Sequence, residues 1–171
     1  QANTTASNNV GVGHSALEGN TTGANNTAVG KNTLAANTTG GTNTALGTSS
    51  LQANTTASNN TAVGHGALAA NTTGTRNNSL GNSSLVANTT GDNNIALGSQ
   101  ALQSNTTADD NTAVGYAALN LNTTGASNTA VGKFAGLAVT TGSYNIAVGT
   151  SSLRANTVGA HNTSMGSDSM F

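Results

Sequence analysis

The stretch Asn26-Thr-Ala-Val-Gly30 decides the fold, because close copies of it recur every 17 residues along the whole chain. Ten copies fill the 171 residues without a slip in spacing. The asparagine runs without exception from Asn9 to Asn162, and the glycine from Gly13 to Gly166. Self-similarity at one fixed period is typical of a solenoid, in which each repeat stacks on the repeat before it. The chain is therefore expected to form ten equivalent coils.

The composition of one coil, residues 20–36, favours β-structure. Apolar residues at i, i+3, i+4 and i+7 are missing, which argues against a helical repeat. Abundant Thr, Val, Asn and Gly favour short strands and turns. The sequence predicts an all-β fold, a parallel β-solenoid or β-roll of ten 17-residue coils, forming a single repeat domain over residues 1–171. We also expect this domain to belong to a longer fibrous protein.

Large apolar side chains recur at two positions of the coil, and we predict that both line the interior. The predicted core residues are Val29, Leu46 and Val63 at one position, and Leu34, Leu51 and Leu68 at the other. Two asparagine positions predict ladders of stacked amides, namely Asn26, Asn43 and Asn60 in one and Asn37, Asn54 and Asn71 in the other. A corner with positive φ, or a close backbone approach, is predicted at Gly30, Gly47 and Gly64.

Small residues flank the predicted core, at the positions of Ala28 and Thr33. Two large apolar side chains per coil contribute on the order of 5 kcal/mol. Ordering 17 residues costs more, at roughly 1–2 kcal/mol per residue for the backbone. We therefore expect a homo-oligomer, with a trimer favoured, in which one of these small positions faces the partner chains. On this hypothesis, enlarging Ala62 and Ala113 to Phe disrupts assembly.

The charge of the chain excludes several classes of function. Four basic and five acidic residues give a formal net charge of −1, which argues against a nucleic-acid surface. No apolar run is long enough for a membrane span, and no cysteine is present for a thiolate metal site. No catalytic set or phosphate loop can be assembled, so we expect neither an enzyme nor a bound cofactor or metal. The stacked Asp92 and Asp109 leave a weak Ca²⁺ site as an alternative, although the nonapeptide motif of calcium β-rolls is missing.

Charged and aromatic residues occupy a few variable positions of the coil, which we predict to form its solvent-facing edges. The candidate surface-contact residues are His14, Lys31, His65, Tyr116, Lys133, Tyr144 and His161. Over residues 133–139 the pattern breaks, because Leu137 stands beside the usual leucine position and Val139 replaces a ladder asparagine. The unbroken period predicts a local bulge or altered turn there.

The Asn-Thr-Thr triplets are also N-glycosylation sequons. Their recurrence follows from the repeat, so a structural role for these asparagines is favoured. The sequons begin at Asn3, Asn20, Asn37, Asn54, Asn71, Asn88, Asn105 and Asn122.

The pattern Asn-Thr-Ala-Val-Gly-x-x-Ala-Leu resembles the head repeats of trimeric autotransporter adhesins. It is also similar to repeats of bacteriophage tail fibres and related bacterial surface fibres. The match extends through all ten copies, over the positions of Asn26 to Gly30 and of Thr33 to Leu34. The resemblance implies a left-handed parallel β-roll, three chains side by side, and an extracellular place on a cell surface or virion fibre. Coils of this chain are longer, with Asn-Thr-Thr-Gly inserted where the family has a shorter turn.

The function expected from these observations is that of a non-enzymatic structural rod in an extracellular fibre, adhesin-like or tail-fibre-like. Its partners would be further copies of itself and a host-surface glycan or protein. One alternative is an ice-binding β-solenoid that uses stacked Thr rows at the positions of Thr38 and Thr39. The other is a self-polymerising extracellular filament, whose unpaired strand edges template further stacking.

Overall fold

A computed structural model describes residues 4–170, and its backbone winds as a stack of coils that each contribute one three-residue strand. The prediction of an all-β parallel solenoid with a 17-residue repeat is confirmed. The strands are β1 Val10–Val12, β2 Thr27–Val29, β3 Thr44–Leu46, β4 Thr61–Val63, β5 Asn78–Leu80, β6 Ile95–Leu97, β7 Thr112–Val114, β8 Thr129–Val131, β9 Ile146–Val148 and β10 Thr163–Met165.

The strands form one ten-stranded parallel sheet, ordered β1 to β10 as in the chain. Each residue pairs with its equivalent one coil later, so Thr27 lies beside Thr44 and Val29 beside Leu46. Backbone hydrogen bonds between coils continue outside the strands, as from Leu34 N to Ser50 O at 3.1 Å. The coils are therefore held together around their perimeter. Over residues 4–170, no helix is long and apolar enough to cross a membrane.

Each coil turns at three corners where the backbone is left-handed, at the positions of Asn25, Asn32 and Leu34, with φ of 61°, 57° and 49°. Asparagine tolerates this conformation, whereas leucine adopts it at a cost of about 1–2 kcal/mol. Burial of the Leu34 side chain offsets this cost, because the corner directs the side chain inward, where it is completely buried.

The glycine position after each strand requires glycine for two reasons. At Gly30 φ is +136°, and a Cβ would stand 2.7 Å from the carbonyl carbon and oxygen of Gly47 in the next coil. Equivalent approaches occur at Gly47 and Gly64. Both expectations for this position, a positive φ and a close backbone, are met.

The structure corrects the predicted core. Leu34, Leu51 and Leu68 are completely buried, as expected. The prediction that Val29, Leu46 and Val63 line the interior is wrong, because Val29 and Leu46 point to solvent and Val63 is only half-buried.

The residue that each strand turns inward is the small one between the Thr27 and Val29 positions. Ala28 and its equivalents Ala62 and Ala113 are completely buried within the chain, as is Thr33. The expectation that one of these small positions faces a partner chain is therefore also wrong.

The narrowness of the coil explains this inversion. Where serine occupies both small positions, the two side chains meet across the interior: Ser79 Oγ hydrogen-bonds the oxygens of Ser84, and Ser164 Oγ lies 2.7 Å from Ser169 Oγ. An interior this thin admits one leucine per coil and leaves room only for small residues opposite. Because side chains alternate along a strand, an inward Ala28 forces Val29 outward.

Two buried amide ladders run along the rod at the predicted positions. In the first, Asn26 Oδ1 accepts a hydrogen bond from the backbone N–H of Asn43 at 2.9 Å, and Asn26 Nδ2 donates to Gly40 O at 2.8 Å. In the second, Asn54 Nδ2 donates to Asn37 Oδ1 at 2.8 Å. The side chains of Asn26, Asn43, Asn60, Asn37, Asn54 and Asn71 are all completely buried. Each ladder thus satisfies interior polar groups from one coil to the next.

The irregular coil keeps the regular backbone, so the predicted bulge is wrong. Gly136 occupies the leucine corner with φ of 60°, and its N–H donates to Ser152 O at 2.9 Å, in register. Val139 is completely buried, and its Cγ2 lies 3.7 Å from where a Gly136 Cβ would stand. A valine from the ladder position therefore fills the space that the missing leucine leaves. Because Val139 has no amide, Asn122 Oδ1 is the one buried side-chain polar atom without a hydrogen-bond partner among residues 4–170.

Candidate interaction surfaces

The outward face of the ten-stranded sheet carries two rows of side chains. One row holds Val12, Val29, Leu46, Val63, Leu80, Leu97, Val114, Val131, Val148 and Met165. Exposure in this row reaches 70% at Met165 and is 37% at Val29. The parallel row holds Val10, Thr27, Thr44, Thr61, Asn78, Ile95, Thr112, Thr129, Ile146 and Thr163. Neither row contains a charged residue, so the sheet face is an uncharged, largely apolar strip along the rod.

The Asn-Thr-Thr turns present one exposed threonine row. Thr38 Oγ1 donates a hydrogen bond to Thr55 O at 3.0 Å, and the same contact recurs in successive coils. The hydroxyls of the Thr38 row are thus engaged in holding coils together. Only the Thr39 row faces solvent freely, and its threonines are exposed in every coil from Thr5 to Thr141. These turns therefore do not offer the two outward threonine rows that the ice-binding alternative needs.

The asparagines of the sequons are interior residues. Asn20, Asn37, Asn54, Asn71, Asn88, Asn105 and Asn122 are all buried in the second ladder, and Asn3 lies outside the described residues. Asn37 Nδ2 donates both to Asn20 Oδ1 at 2.8 Å and to Gly40 O at 2.9 Å. A glycan on such a nitrogen would displace both contacts, so the folded coil favours the structural role.

The seven predicted contact residues all lie at exposed corners. His14 and Lys31 occupy the same position of adjacent coils, where Asn32 N donates to His14 O at 2.8 Å, whereas His65 stands two coils beyond Lys31. Tyr144 and His161, in adjacent coils, stack with ring centroids 4.9 Å apart and planes 10° apart.

Tyr116 and Lys133 both contact Phe134. The Tyr116 and Phe134 rings meet edge-on at 5.4 Å, and Lys133 Nζ lies 4.9 Å from the centre of the Phe134 ring. Arg154, from the next coil, places its guanidinium carbon 5.5 Å from the same centre. Phe134 and Arg154 belong to this group of contacts, but the sequence pattern does not identify them as contact residues. Their spacing relative to Tyr116, 18 and 38 residues, places them close only once the chain is wrapped at 17 residues per coil.

The stacked Asp92 and Asp109 have structural partners. Asp92 Oδ1 accepts hydrogen bonds from Thr75 N and Oγ1 at 2.6 and 3.1 Å, and Asp109 Oδ1 accepts from Asp92 N at 2.7 Å. Ser58 and Ser143 perform the same task in other coils. Asp92 and Asp109 therefore cap backbone N–H groups between coils. Within residues 4–170, no three His, Cys, Asp or Glu residues are grouped closely enough to hold a metal ion.

A cavity of about 380 Å³ opens at the last described coil and is lined by Leu153, Ala155, Asn156, Asn162 and Met170. Its walls are core and ladder residues, and it contains no titratable side chain. The sheet face and the variable edges are thus the surfaces with the chemistry to recognise a partner.

No protein-family model, curated protein or solved structure matches this chain. The resemblance to the head repeats of trimeric autotransporter adhesins stays a prediction, and function has to be argued from the two surfaces themselves.

Proposed function

We propose that the chain is a structural, non-enzymatic rod of an extracellular fibre, in which three copies pack side by side through their sheet faces and display their variable edges. The observation that carries this proposal is the uninterrupted apolar row from Val12 to Met165, which an isolated coil stack leaves in water. Soluble monomers rarely expose contiguous apolar patches larger than a few hundred Å².

The sheet face supplies the surface for this packing. Nine intervals of about 4.8 Å give a strip about 43 Å long, and two outward rows make it roughly 10 Å wide. Each chain thus offers roughly 400 Å² of sheet face to its partners. Three chains around a common axis would bury about 1,200 Å² in total, and the choice of three copies rests on the resemblance to trimeric surface-fibre repeats. Rotation about an axis along the rod also keeps equivalent coils level.

The chemistry of the strip suits this packing. Its residues are Val, Leu, Ile, Met, Thr and a single Asn, so burial of the strip leaves no unpaired charge. Charged residues lie at the coil edges instead, where a trimer leaves them in solvent. The extracellular location rests on the resemblance to surface-fibre repeats, and immunogold labelling of intact cells or virions with an antibody to the rod tests it.

Sedimentation equilibrium tests the assembly. The wild-type chain, of 16.5 kDa, should sediment as a species of three times that mass. Val63→Lys with Val114→Lys places charges in the strip and should give a folded monomer, because burying unpaired charges is costly. Thr56→Lys with Thr107→Lys adds the same charge to the same two coils at the exposed Thr39 position, and should leave the trimer intact. A folded wild-type monomer at high concentration would contradict the proposal.

The ice-binding alternative would have to use a different surface from the one that the sequence indicates. The sheet face, not the Asn-Thr-Thr turn, presents two straight outward rows, but Ile95, Ile146 and Asn78 interrupt the threonines of one row and the other is aliphatic. Thermal hysteresis of the Val63→Lys, Val114→Lys variant and of the wild type separates the two roles. Hysteresis in the wild type that the variant loses would favour ice binding.

A further inference from the structure

One edge of the rod gathers much of the aromatic and cationic chemistry that this chain possesses. The Phe134 ring is surrounded by Tyr116, Lys133 and Arg154. These four residues lie on the segments that follow β7, β8 and β9, and they are called the Phe134 cluster. The whole sequence contains only four Lys and Arg residues, two Tyr and two Phe. Two of the four cations therefore stand within 5.5 Å of a single Phe ring centre.

Backbone stacking fixes the spacing of this cluster. Phe134 N donates to Tyr116 O at 3.0 Å, and Ser151 N donates to Lys133 O at 2.8 Å, so the three coils are locked in register. Contact with the Phe134 ring restrains both flexible cationic side chains, at about 0.5–1 kcal/mol for an exposed cation–π contact. Restraint before binding lowers the entropy that a ligand must overcome.

The irregular core of this coil adds an apolar border. Because Val139 fills the interior in place of a leucine at Gly136, Leu137 remains half-exposed at the surface. Leu137 O accepts a hydrogen bond from Leu121 N at 3.2 Å, and the Leu121 side chain is 45% exposed. The coil in which a glycine replaces the core leucine thus carries the central Lys133 and Phe134 of the cluster and extends its apolar surface.

The charge around the cluster favours an anion. Asp109 and Asp110 precede β7 whereas Tyr116 follows it, so these carboxylates lie at the opposite edge of the sheet. Asp168 occupies the coil position of Phe134 two coils further on, at about 10 Å. Lys133 and Arg154 thus place two cationic side chains beside an exposed, flat Tyr116 ring, which is 46% accessible.

We propose that the Tyr116–Lys133–Phe134–Arg154 cluster binds a carboxylated sugar, with the carboxylate on Lys133 and Arg154 and the apolar face of the sugar ring on Tyr116. Guanidinium and ammonium groups are the strong hydrogen-bond donors for carboxylates. Aromatic rings offer flat apolar surface for the CH groups of a ligand. This proposal deepens, and rests on, the attachment role of the variable edges, but it does not depend on the trimer.

Binding of tri-galacturonate to the full chain, measured by calorimetry and saturation-transfer NMR, tests the site. Lys133→Gln with Arg154→Gln should weaken binding more than about tenfold, because two charge-assisted contacts are lost. Arg154→Gln alone should also weaken binding, whereas Arg76→Gln, which removes the same charge elsewhere on the rod, should leave affinity unchanged. Tyr116→Ser should weaken binding as well, because the flat apolar surface under the sugar ring is lost.

Three results would overturn the assignment: equal losses in Arg154→Gln and Arg76→Gln, equal binding of the methyl-esterified trisaccharide, or equal competition by inorganic phosphate. Absence of tri-galacturonate binding at millimolar concentration would also overturn it. Sedimentation of the same samples separates the two proposals. A folded monomer that still binds the sugar contradicts only the trimeric rod, and a trimer that does not bind contradicts only this site.

Discussion

Replacing Asn54 with alanine tests the contribution of the second amide ladder to stability. Asn54 Nδ2 donates to Asn37 Oδ1 and Ala57 O at 2.8 and 3.0 Å, and Asn54 Oδ1 accepts from Asn71 Nδ2 at 3.1 Å. The substitution removes three hydrogen bonds worth about 0.5–1.5 kcal/mol each and leaves Asn37 Oδ1 buried without a partner, at about 1–3 kcal/mol. We expect a loss of about 3–5 kcal/mol in the free energy of unfolding.

Asn122 provides the matched control, because the natural Val139 already breaks the ladder there. Asn122 Nδ2 donates to Asn105 Oδ1 and Gly125 O at 3.0 and 2.9 Å, whereas its Oδ1 has no partner. Asn122→Ala removes two hydrogen bonds and leaves Asn105 Oδ1 without its partner, but it also removes the unsatisfied Asn122 Oδ1. It should therefore cost less than Asn54→Ala by one hydrogen bond and one unsatisfied oxygen, about 1.5–4.5 kcal/mol.

Urea denaturation followed by far-UV circular dichroism measures both variants at one protein concentration, with the slope m checked for unchanged cooperativity. Equal destabilisation by the two substitutions would refute the reasoning, since the ladder contacts would then contribute nothing beyond side-chain volume.

Three further predictions follow from the packing of the coils. Gly64→Ala should lower the free energy of unfolding by about 3 kcal/mol or more, because its Cβ would stand 2.5 Å from Gly81 O. The control Gly66→Ala should cost only about 1 kcal/mol, because the nearest atom to its Cβ lies at 3.9 Å. Thermal melts of the two variants measure the difference. Gly136→Leu combined with Val139→Asn should restore the ladder, and a double-mutant cycle should give a favourable coupling of about 1 kcal/mol or more; additive losses would contradict it. Ala62→Phe should prevent folding of the individual chain rather than release folded monomers, because this side chain is completely enclosed; a soluble, folded monomer by sedimentation and circular dichroism would argue otherwise.

The sequence by itself determined the repeat, the parallel β-solenoid and the positions of both ladders. These features depend on interactions between identical positions one period apart, so residues such as Asn26 and Gly30 report them wherever they recur. The seven exposed contact candidates were also identifiable, because variable, charged and aromatic residues concentrate at a few positions of the coil.

Only the tertiary structure decided which face of each strand points inward. Alternation along the strand allows either Ala28 inside or Thr27 and Val29 inside, and hydrophobicity favours the second choice. The interior width reverses it, because the three left-handed corners close the coil around one leucine and leave space only for small residues such as alanine and serine. Leu34 carries no local signal for a left-handed corner, so the sequence could not reveal that width. The cluster around Phe134 has the same origin: Tyr116, Phe134 and Arg154 are distant in the chain, and they meet because the closed coil stacks their corners on one edge.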